Sequence, residues 1–409
     1  MNKPKIRFKG FQGEWKEVKL SSIAIFSKGQ GYSKSDLREN GHPIILYGRM
    51  YTKYQFAINE VDTFSNLKGA YVLSEGNEII MPASGETSED IACASAVLAK
   101  GIILGGDLNI VRFDLKKYST PFLALTITYS KTHYDLSKCA QGKSVVHLHN
   151  EAISKTAVFI PSLPEQRALA SYFTSLDAQI AASTSRLSSL KQIKAASLLN
   201  MFPQKGEMVP RVRFKGFQGE WDSPSIEDVF EIRNGYTPSK SVESYWIGGT
   251  IPWFRMEDIR ASGGFLEDSI QHITPKAVKN NGLFEKDSII MATTATIGVH
   301  AQLIADSLAN QRFTNFSIRK SLREGIIAKY VYYAFFGIDE WAIKNTNSGG
   351  LLSVNMPLLL KQPFFVPSLP EQRAIASYFT ALDAQITLHR ERLEKLKQIK
   401  AACLEKMFA

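Results

Sequence analysis

The sequence predicts an α+β protein built from a duplicated unit, in which two mixed α/β domains are each followed by a long helix. Two observations predict this class. A short leading segment and a longer helical segment each occur twice, 206 residues apart. Between these repeats, short runs rich in β-branched residues alternate with helical ones. The repeats therefore frame two domains of equal length and different sequence.

The repeats divide the chain into four parts. Residues 5–15 return as 211–221 with nine of eleven positions identical, and residues 161–202 return as 367–408 with 30 of 42 identical. We predict a first domain over 1–160, a first helical connector over 161–205, a second domain over 206–366 and a second connector over 367–409. A period of 206 residues is too long for a solenoid repeat, which spans roughly 20–50 residues.

Each domain is predicted to combine short strands with a helix. Runs bounded by turn residues predict the strands. In the first domain the strands are 44–47, 78–81, 102–104, 108–113 and 145–148, with a helix over 121–129. In the second they are 229–232, 251–254, 288–291, 298–303 and 313–318, with a helix over 326–336.

The connectors are predicted to be helical. Ser162 and Glu165 have the spacing of a capping box, and Asp177 is positioned to cap a second helix of about 25 residues, or about 37 Å. Apolar steps of seven and three residues favour a coiled-coil seam. An amphipathic helix lying on its own domain is the alternative. Residues 183–185 are expected to face solvent or a partner. The predicted seam residues are Ile180, Leu187, Leu190, Ile193, Leu198, Met201, Ile386, Leu393, Leu396, Ile399, Leu404 and Met407.

Composition and charge limit the classes of function that the sequence is compatible with. The 409 residues include 49 Lys and Arg against 39 Asp and Glu, a net charge of +10, and a basic protein attracts polyanions. No apolar run approaches the roughly 18 residues of a membrane span, and no signal peptide is evident, so a cytoplasmic protein is expected. Three scattered cysteines form neither a disulfide framework nor a Cys-x-x-Cys metal motif.

Gly-containing loops that mix polar and aromatic residues recur in both domains. Asn, Gln, Arg, Ser and Thr can contact base edges, whereas Lys suits phosphates. Any single loop can equally be a solvated turn, but their number in a basic, duplicated chain favours DNA binding. The candidate DNA-binding residues are Lys28, Gln30, Tyr32, Lys34, Arg49, Ser84, Thr87, Lys143, Ser144, His147, Arg233, Tyr236, Thr237, Lys240, Arg255, Thr293, Thr294, Thr296, Asn310, Gln311, Arg312, Asn347 and Ser348.

Catalytic motifs are incomplete. The run Gly142-Lys143-Ser144 lacks the earlier glycine of a phosphate-binding loop, because position 137 is Ser137. His147 and His149 are expected to point to opposite faces of a strand, which argues against a metal site. We therefore predict a chain without catalytic or metal-binding residues.

The repeated motif of the two connectors resembles that of a known protein family. Pro-Ser-Leu-Pro-Glu-Gln-Arg, followed by Leu-Asp-x-x-Ile and a long helix, occurs after each of the two dissimilar domains. This arrangement resembles the DNA specificity subunit of type I restriction–modification systems, the HsdS family. The loop 84–87 and the segments 295–298 and 310–311 resemble parts of that family as well.

The resemblance implies a division of labour. Each variable domain would be a target-recognition domain that reads one half of a bipartite double-stranded DNA site. The two helices would pair as an antiparallel coiled coil with pseudo-two-fold symmetry and fix the gap between half-sites. Two modification subunits would dock on the chain and methylate adenine with S-adenosylmethionine. Two restriction subunits, which use ATP and Mg, would cleave the DNA.

Three other interpretations stay open at this stage. A free-standing DNA-binding protein, such as a repressor, would use the same domains without a methyltransferase. A protein–protein scaffold is disfavoured by the charge and by the loop chemistry. A nuclease or methyltransferase with an unrecognised site is the third.

Overall fold

The structure is a computed structural model that describes residues 3–142, 144–347 and 352–408. The chain forms two compact units. Unit 1 comprises Met1–Thr184 and Glu391–Ala409, and unit 2 comprises Ser185–Arg390. Within the described ranges, no helix is long and apolar enough to cross a membrane.

Unit 1 contains two five-stranded sheets. The central sheet has the strand order Ala24–Lys28, Leu108–Phe113, Glu78–Pro82, Ser95–Val97, Ala57–Ile58. The second sheet has the order Leu37–Arg38, Phe64–Ser65, His42–Ile45, Lys100–Leu104, Leu73–Glu75. Two further strand pairs join Lys16–Lys19 to Ala157–Ile160 and Ser84–Gly85 to Val146–His147.

The shorter helices of unit 1 pack on this framework. Thr120–Tyr129 is mostly apolar and buries seven of its ten residues, since it lies inside the core of the unit. The other α-helices are Arg49–Thr52, Ser88–Ile91, Lys131–Cys139 and Asn150–Lys155, and the 3-10 helices are Leu20–Ser22 and Lys34–Asp36.

Unit 2 repeats the central sheet. Its strand order is Phe230–Asn234, Phe313–Ile318, Ile289–Ala292, His300–Leu303, Phe265–Leu266. A three-stranded sheet follows the order His272–Ile273, Ile251–Phe254, Leu308–Ala309, and Thr346–Asn347 pairs with Ser353–Val354. The helices are Ile226–Val229, Met256–Ser262, Ala328–Lys344 and Met356–Leu360, with 3-10 helices at Glu243–Tyr245, Pro275–Ala277 and Lys320–Leu322.

The predicted strands are largely confirmed, with differences at their ends. The strands 108–113, 251–254 and 313–318 have the predicted bounds. The predicted strand 298–303 begins only at His300, because Ala295 and Gly298 adopt positive φ angles of 68° and 84°. The predicted strand 145–148 reduces to Val146–His147.

The two long helices are Leu163–Asn200 and Leu369–Lys406, each of 38 residues. The prediction that Asp177 starts a second helix is wrong, because the first helix runs through it. No glycine or proline interrupts the chain between Pro164 and Pro203. Asp177 instead forms an ion pair with Lys400 at 2.5 Å.

The helices pack together within each unit. In unit 1, where the start of the first helix meets the end of the second, Phe408 packs on Phe173 with ring centroids 5.6 Å apart. Tyr172 lies 3.4 Å from the Cys403 sulfur. This pairing makes the helices antiparallel, as the resemblance implied.

The equivalent contacts recur in unit 2. Phe202 packs on Phe379 with ring centroids 6.1 Å apart. Ser197 lies 2.9 Å from the hydroxyl of Tyr378, and Lys194 forms an ion pair with Asp383 at 2.6 Å. Each of these residues lies 206 positions from its counterpart in unit 1, so the contacts follow the sequence repeat.

The contact surface between the long helices differs from the predicted seam in two ways: two predicted seam residues are exposed, and one residue outside the predicted seam is buried. Ile193 and Ile399 are 44% and 37% exposed, whereas the neighbouring Lys194 lies over the ring of Phe336 at 5.0 Å. Ser183, expected to face solvent or a partner, is buried. The other predicted seam residues are buried or half-buried.

The leading segment fastens to the start of each long helix. The guanidinium of Arg7 donates to both carboxylate oxygens of Glu165, at 2.6 and 2.7 Å. Arg213 and Glu371 repeat the contact at 2.7 and 2.7 Å. The capping role predicted for Glu165 is thus replaced by a buried ion pair.

Candidate nucleic-acid interface

The polar loops of unit 1 converge at one end of the central sheet. Lys28 ends its strand opposite Asn109, and Pro82 ends its strand opposite Leu108. The loops that follow these strands therefore leave the sheet at the same end. They lie beside the turn 105–107, which precedes Leu108.

A further loop joins the same end. Ser84–Gly85 pairs with Val146–His147, and the hydroxyl of Ser84 lies 3.2 Å from Nδ1 of His147. The buried amide of Asn109 donates to the carbonyl of Leu148 at 2.7 Å and so ties this loop to the sheet.

The expectation for the two histidines is corrected. The rings of His147 and His149 stack with centroids 6.2 Å apart, and both are exposed while Leu148 between them is buried. Residues two apart on an extended segment share a face, so the two rings lie side by side. In the described ranges no group of three or more His, Cys, Asp or Glu is placed to hold a metal ion.

Unit 2 builds the same arrangement. Asn234 ends its strand opposite Thr314, and Ala292 ends its strand opposite Phe313. Thr294 bridges to Ser353, which places the strand pair Thr346–Asn347 and Ser353–Val354 beside them. The loops 235–240, 293–298 and 310–312 thus share one end of the sheet.

Many predicted residues are exposed at these two loop ends. In unit 1 they are Lys28, Gln30, Lys34, Thr87, Ser144 and His147, with Tyr32 and Ser84 half-buried. In unit 2 they are Thr237, Lys240, Gln311, Arg312 and Asn347, with Tyr236, Thr294, Thr296 and Asn310 half-buried. Lys143 and Ser348 lie outside the described residues.

A tyrosine occupies the first loop of both units and is fixed in the same way. The hydroxyl of Tyr32 accepts from the backbone N–H of Lys68 at 3.0 Å, and the Lys68 ammonium lies 5.4 Å from the ring centroid. The hydroxyl of Tyr236 accepts from the N–H of Lys279 at 3.0 Å, with the ammonium 4.3 Å from the ring centroid. Both loops are therefore held in place by contacts within their own unit.

Lys68 also determines the charge state of Asp36 in the first loop. The Lys68 ammonium bonds to the carboxylate of Asp36, and the backbone N–H of Ser33 donates to it at 2.7 Å. These contacts, with the lysine contributing most, lower the pKa of Asp36 to about 2. The carboxylate thus stays charged in neutral solution.

Four predicted residues have structural partners instead of a free surface. Arg49 is buried and pairs with Asp62 at 2.5 Å, which fixes the helix Arg49–Thr52. Thr293 is buried, with its hydroxyl 2.8 Å from that of Thr314.

Arg233 and Arg255 complete this set. The guanidinium of Arg233 donates to the carbonyls of Asn281 and Leu283, and it lies 5.1 Å from the ring centroid of Phe284. Arg255 is half-buried, and its Nε lies 3.7 Å from a carboxylate oxygen of Glu257. Arg233 thus holds the segment 281–284 in place, whereas the long ion pair of Arg255 joins it only to an exposed residue two positions away.

Sequence reasoning missed one exposed polar group at the loop end of unit 1. Asp107 is exposed at the tip of the turn before Leu108. A single acidic residue behind two glycines is a weak signal in sequence, and only the sheet register places it beside the other loops.

A buried histidine–aspartate pair in unit 2 resembles part of a catalytic set. Nδ1 of His300 lies 2.5 Å from the Asp339 carboxylate, and Nε2 lies 2.8 Å from the carbonyl of Tyr332. Both ring nitrogens are engaged and the side chain of His300 is 1% exposed. The pair therefore fastens Ala328–Lys344 to the sheet and cannot reach a substrate.

Comparison with protein families identifies this architecture. The model of the type I restriction modification DNA specificity domain matches twice, over residues 12–192 and 218–398. The chain belongs to this family. Each match covers one variable domain together with most of the connector helix behind it, so the specificity domain is the repeated unit.

Two curated relatives from Escherichia coli are similar over part of their length. The EcoprrI specificity subunit is 43% identical over 152 residues, which is 37% of each chain. The EcoR124I/EcoR124II specificity subunit is 23% identical over 174 residues, 41% of this chain and 42% of the relative. The chain thus matches about two fifths of the length of these relatives.

Solved structures match along nearly the whole chain. The S subunit of a type I restriction–modification system from M. genitalium has a TM-score of 0.60 at 15% identity, over 100% of this chain and 99% of the other. The HsdS subunit of Thermoanaerobacter tengcongensis has a TM-score of 0.50 at 15% identity, over 96% of both chains. At 15% identity this likeness shows that the fold is shared, and nothing beyond the fold.

Proposed function

We propose that this member of the specificity family is the DNA-recognition subunit of a type I restriction–modification complex. Each unit reads one half of a bipartite site in double-stranded DNA. The observation that carries the proposal is the convergence of polar loops at the same sheet end in both units. These loops differ in sequence, whereas the segments that frame them are nearly identical.

The chemistry of the loop ends supports this function. Exposed lysines such as Lys28, Lys34 and Lys240 can contact phosphates, while Gln30, Gln311 and Asn347 offer the paired donors and acceptors that base edges require. Two different surfaces of this kind suit two unlike half-sites.

The long helices support docking of a partner that binds twice. Lys191, Gln192 and Ile193 are exposed, and so are their identical counterparts 397–399. The helix pairing does not require an exposed isoleucine at either place. We assign this surface to two modification subunits, which would methylate adenine with S-adenosylmethionine.

The chain itself would be non-catalytic. Methyl transfer would belong to the modification subunits, and cleavage with ATP and Mg to two restriction subunits. The engaged His300–Asp339 pair is in keeping with that division. A free-standing repressor would leave the identical exposed helix positions without a purpose.

The decisive experiment combines the full chain with a type I modification subunit, S-adenosylmethionine and genomic DNA, followed by sequencing of methylated adenines. We expect methylation at one interrupted motif. Exchange of residues 16–160 for those of another family member should change one half of that motif only. Methylation that is independent of this chain, or lacks a motif, would refute the proposal.

Binding of the chain to DNA should also depend strongly on salt. Each phosphate neutralised by a lysine releases counterions, so the logarithm of the binding constant falls with a slope of about −0.9 per contact against the logarithm of salt concentration. Lys28→Gln and Lys240→Gln should each reduce the slope by about one contact. An affinity that does not change with salt would argue against phosphate contacts.

A further inference from the structure

Asp107 and Arg312 occupy the same backbone position in the two units. In unit 1 the carbonyl of Asp107 accepts from the N–H of Ala83 at 2.8 Å, one residue beyond the last strand pair. In unit 2 the carbonyl of Arg312 accepts from the N–H of Thr293 at 3.0 Å, again one residue beyond the last pair. The two side chains thus leave equivalent points of the two sheets.

The turn that carries Asp107 is tightly held. The N–H of Gly105 donates to the carbonyl of Ile45 at 3.0 Å, and that of Gly106 donates to the carbonyl of Gly31 at 2.8 Å. A Cβ atom at Gly105 would lie 2.7 Å from the side chain of Leu46. The two backbone hydrogen bonds and the close approach of Leu46 therefore fix the turn from which Asp107 projects.

The turn that carries Arg312 is held by other contacts. The N–H of Asn310 donates to the carbonyl of Phe254 at 3.0 Å. The side-chain oxygen of Asn310 accepts from the N–H of Arg312 at 2.9 Å. The neighbouring Gln311 accepts from the hydroxyl of Thr237 at 2.5 Å. The side chain of Arg312 therefore projects from an ordered turn.

Neither charged group has a structural role within the described ranges. Asp107 and Arg312 are both exposed, and no hydrogen bond or ion pair there engages the carboxylate or the guanidinium. Arg49, Arg233 and Arg319 show the contrast, since each of these guanidinium groups is held by a carboxylate or a carbonyl. The backbone contacts explain why the two turns form. They do not explain why a carboxylate and a guanidinium stand at the tips of these turns.

We propose that Asp107 and Arg312 are equivalent specificity-determining residues that read bases of opposite hydrogen-bonding character. A carboxylate only accepts hydrogen bonds, so Asp107 suits the exocyclic amino group of cytosine and opposes the acceptors of guanine. A guanidinium only donates, so Arg312 suits O6 and N7 of guanine. This assignment rests on the proposed function, that each unit reads one half-site.

The test is selection of randomised duplex DNA by the full chain and two variants. Wild type should enrich an interrupted motif with a cytosine in one half and a guanine in the other. An amide side chain pairs with adenine, so Asp107→Asn should convert the cytosine to adenine and Arg312→Gln the guanine to adenine. Each variant should lower the preference for the original base by about 10-fold and leave the other half unchanged.

Matched controls lie at the opposite end of the same strands. Asp114 follows the strand Leu108–Phe113 and Arg319 follows the strand Phe313–Ile318, and both are exposed. Asp114→Asn and Arg319→Gln should leave the selected motif unchanged. Thermal unfolding of all four variants verifies that they are folded.

The outcomes separate the two proposals. A wild-type chain that enriches no sequence overturns the proposed function and this assignment with it. A wild-type motif that survives both Asp107→Asn and Arg312→Gln overturns the assignment alone. An equal loss of affinity for all sequences in Arg312→Gln would make Arg312 a phosphate contact and also overturn its assignment.

Discussion

The buried carboxylate of Glu165 and the guanidinium of Arg7 form a two-point ion pair across 158 residues of sequence. The same guanidinium donates to the carbonyls of Gln12 and Gly13, at 2.9 and 2.6 Å. One side chain thus joins the leading segment to the start of the long helix. Arg213 does the same in unit 2.

Removal of this guanidinium should destabilise unit 1. Arg7→Ala leaves the Glu165 carboxylate buried without its partner, which costs about 3 kcal/mol in the free energy of unfolding. Chemical denaturation measures this loss. The double variant Arg7→Ala/Glu165→Gln should recover part of it, because no buried charge remains. Arg38 is exposed and, among the described residues, its guanidinium contacts only nearby carbonyls, so the control Arg38→Ala should change stability little.

Because the sequence is duplicated, the same prediction can be tested a second time in unit 2. Arg213→Ala should have an effect of similar size in unit 2, since the contacts of Arg213 with Glu371 match those of Arg7. If Arg7→Ala and Arg38→Ala reduce stability equally, the ion pair does not fasten the leading segment.

The pairing of Asp36 with Lys68 should be visible as a pH dependence. The pKa of Asp36 is about 2 in the folded chain, below its ordinary 3.8. A lowered pKa stabilises the fold above about pH 4, and this contribution is lost as pH falls toward 2. The difference in stability between wild type and Asp36→Asn should therefore be constant near neutral pH and shrink between pH 4 and 2.

Direct titration tests the cause. In NMR titrations of the side-chain carboxyl, Lys68→Met should move the pKa of Asp36 upward toward 3.8, because Lys68 contributes the largest part of the shift. Lys53→Met, which removes an exposed lysine that pairs with Asp62 instead, serves as the control. An Asp36 pKa that ignores Lys68→Met would assign the shift to the backbone of Ser33.

The repeats made the helix pairing predictable from sequence. Positions 206 residues apart carry the same side chains, so the contacts of Phe173 with Phe408 recur as those of Phe379 with Phe202. The position of Lys194 was not predictable in this way. Its charge suggests an exposed position, yet its ammonium lies 5.0 Å from the ring centroid of Phe336 and forms an ion pair with Asp383.

The candidate interface was predictable only in part. Loop chemistry identified Gln30 and Arg312, which the structure places at the loop ends of the sheets. It also selected Arg49 and Thr293, which are buried against partners 13 and 21 residues away. Whether a polar side chain meets solvent or a buried partner depends on the tertiary fold, and a local pattern does not carry that information.

Cys93 and Cys139 should differ in reactivity toward thiol reagents. Burial raises the pKa of Cys93 to about 12, so at pH 8 its thiol is almost fully protonated and shielded. Cys139 is half-buried and lines a cavity of about 540 Å³. A thiol reagent should modify Cys139 well before Cys93, as mass spectrometry of the digested protein resolves. Equal rates at Cys93 and Cys139 in the native protein would contradict the burial.

Truncation after residue 205 should give a chain that dimerises. Unit 1 loses residues 391–409, so Phe173 loses its contact with Phe408 and Asp177 loses Lys400. Each large apolar side chain left in water costs about 1.5–3 kcal/mol. The surface exposed by truncation is therefore strongly unfavourable in a monomer.

A second copy of the truncated chain offers the missing contacts. Phe202 stands in the place of Phe408, Lys194 in that of Lys400, and Ser197 in that of Cys403. The helices run antiparallel, so two identical copies can exchange these segments across a two-fold axis. Sedimentation at tens of micromolar should show a dimer. Phe202→Ala in the truncated chain should weaken it, because that side chain would replace Phe408. The control Leu199→Ala should leave it intact, since Leu199 is exposed on the helix. A truncated chain that stays folded and monomeric would show that the seam is not self-complementary.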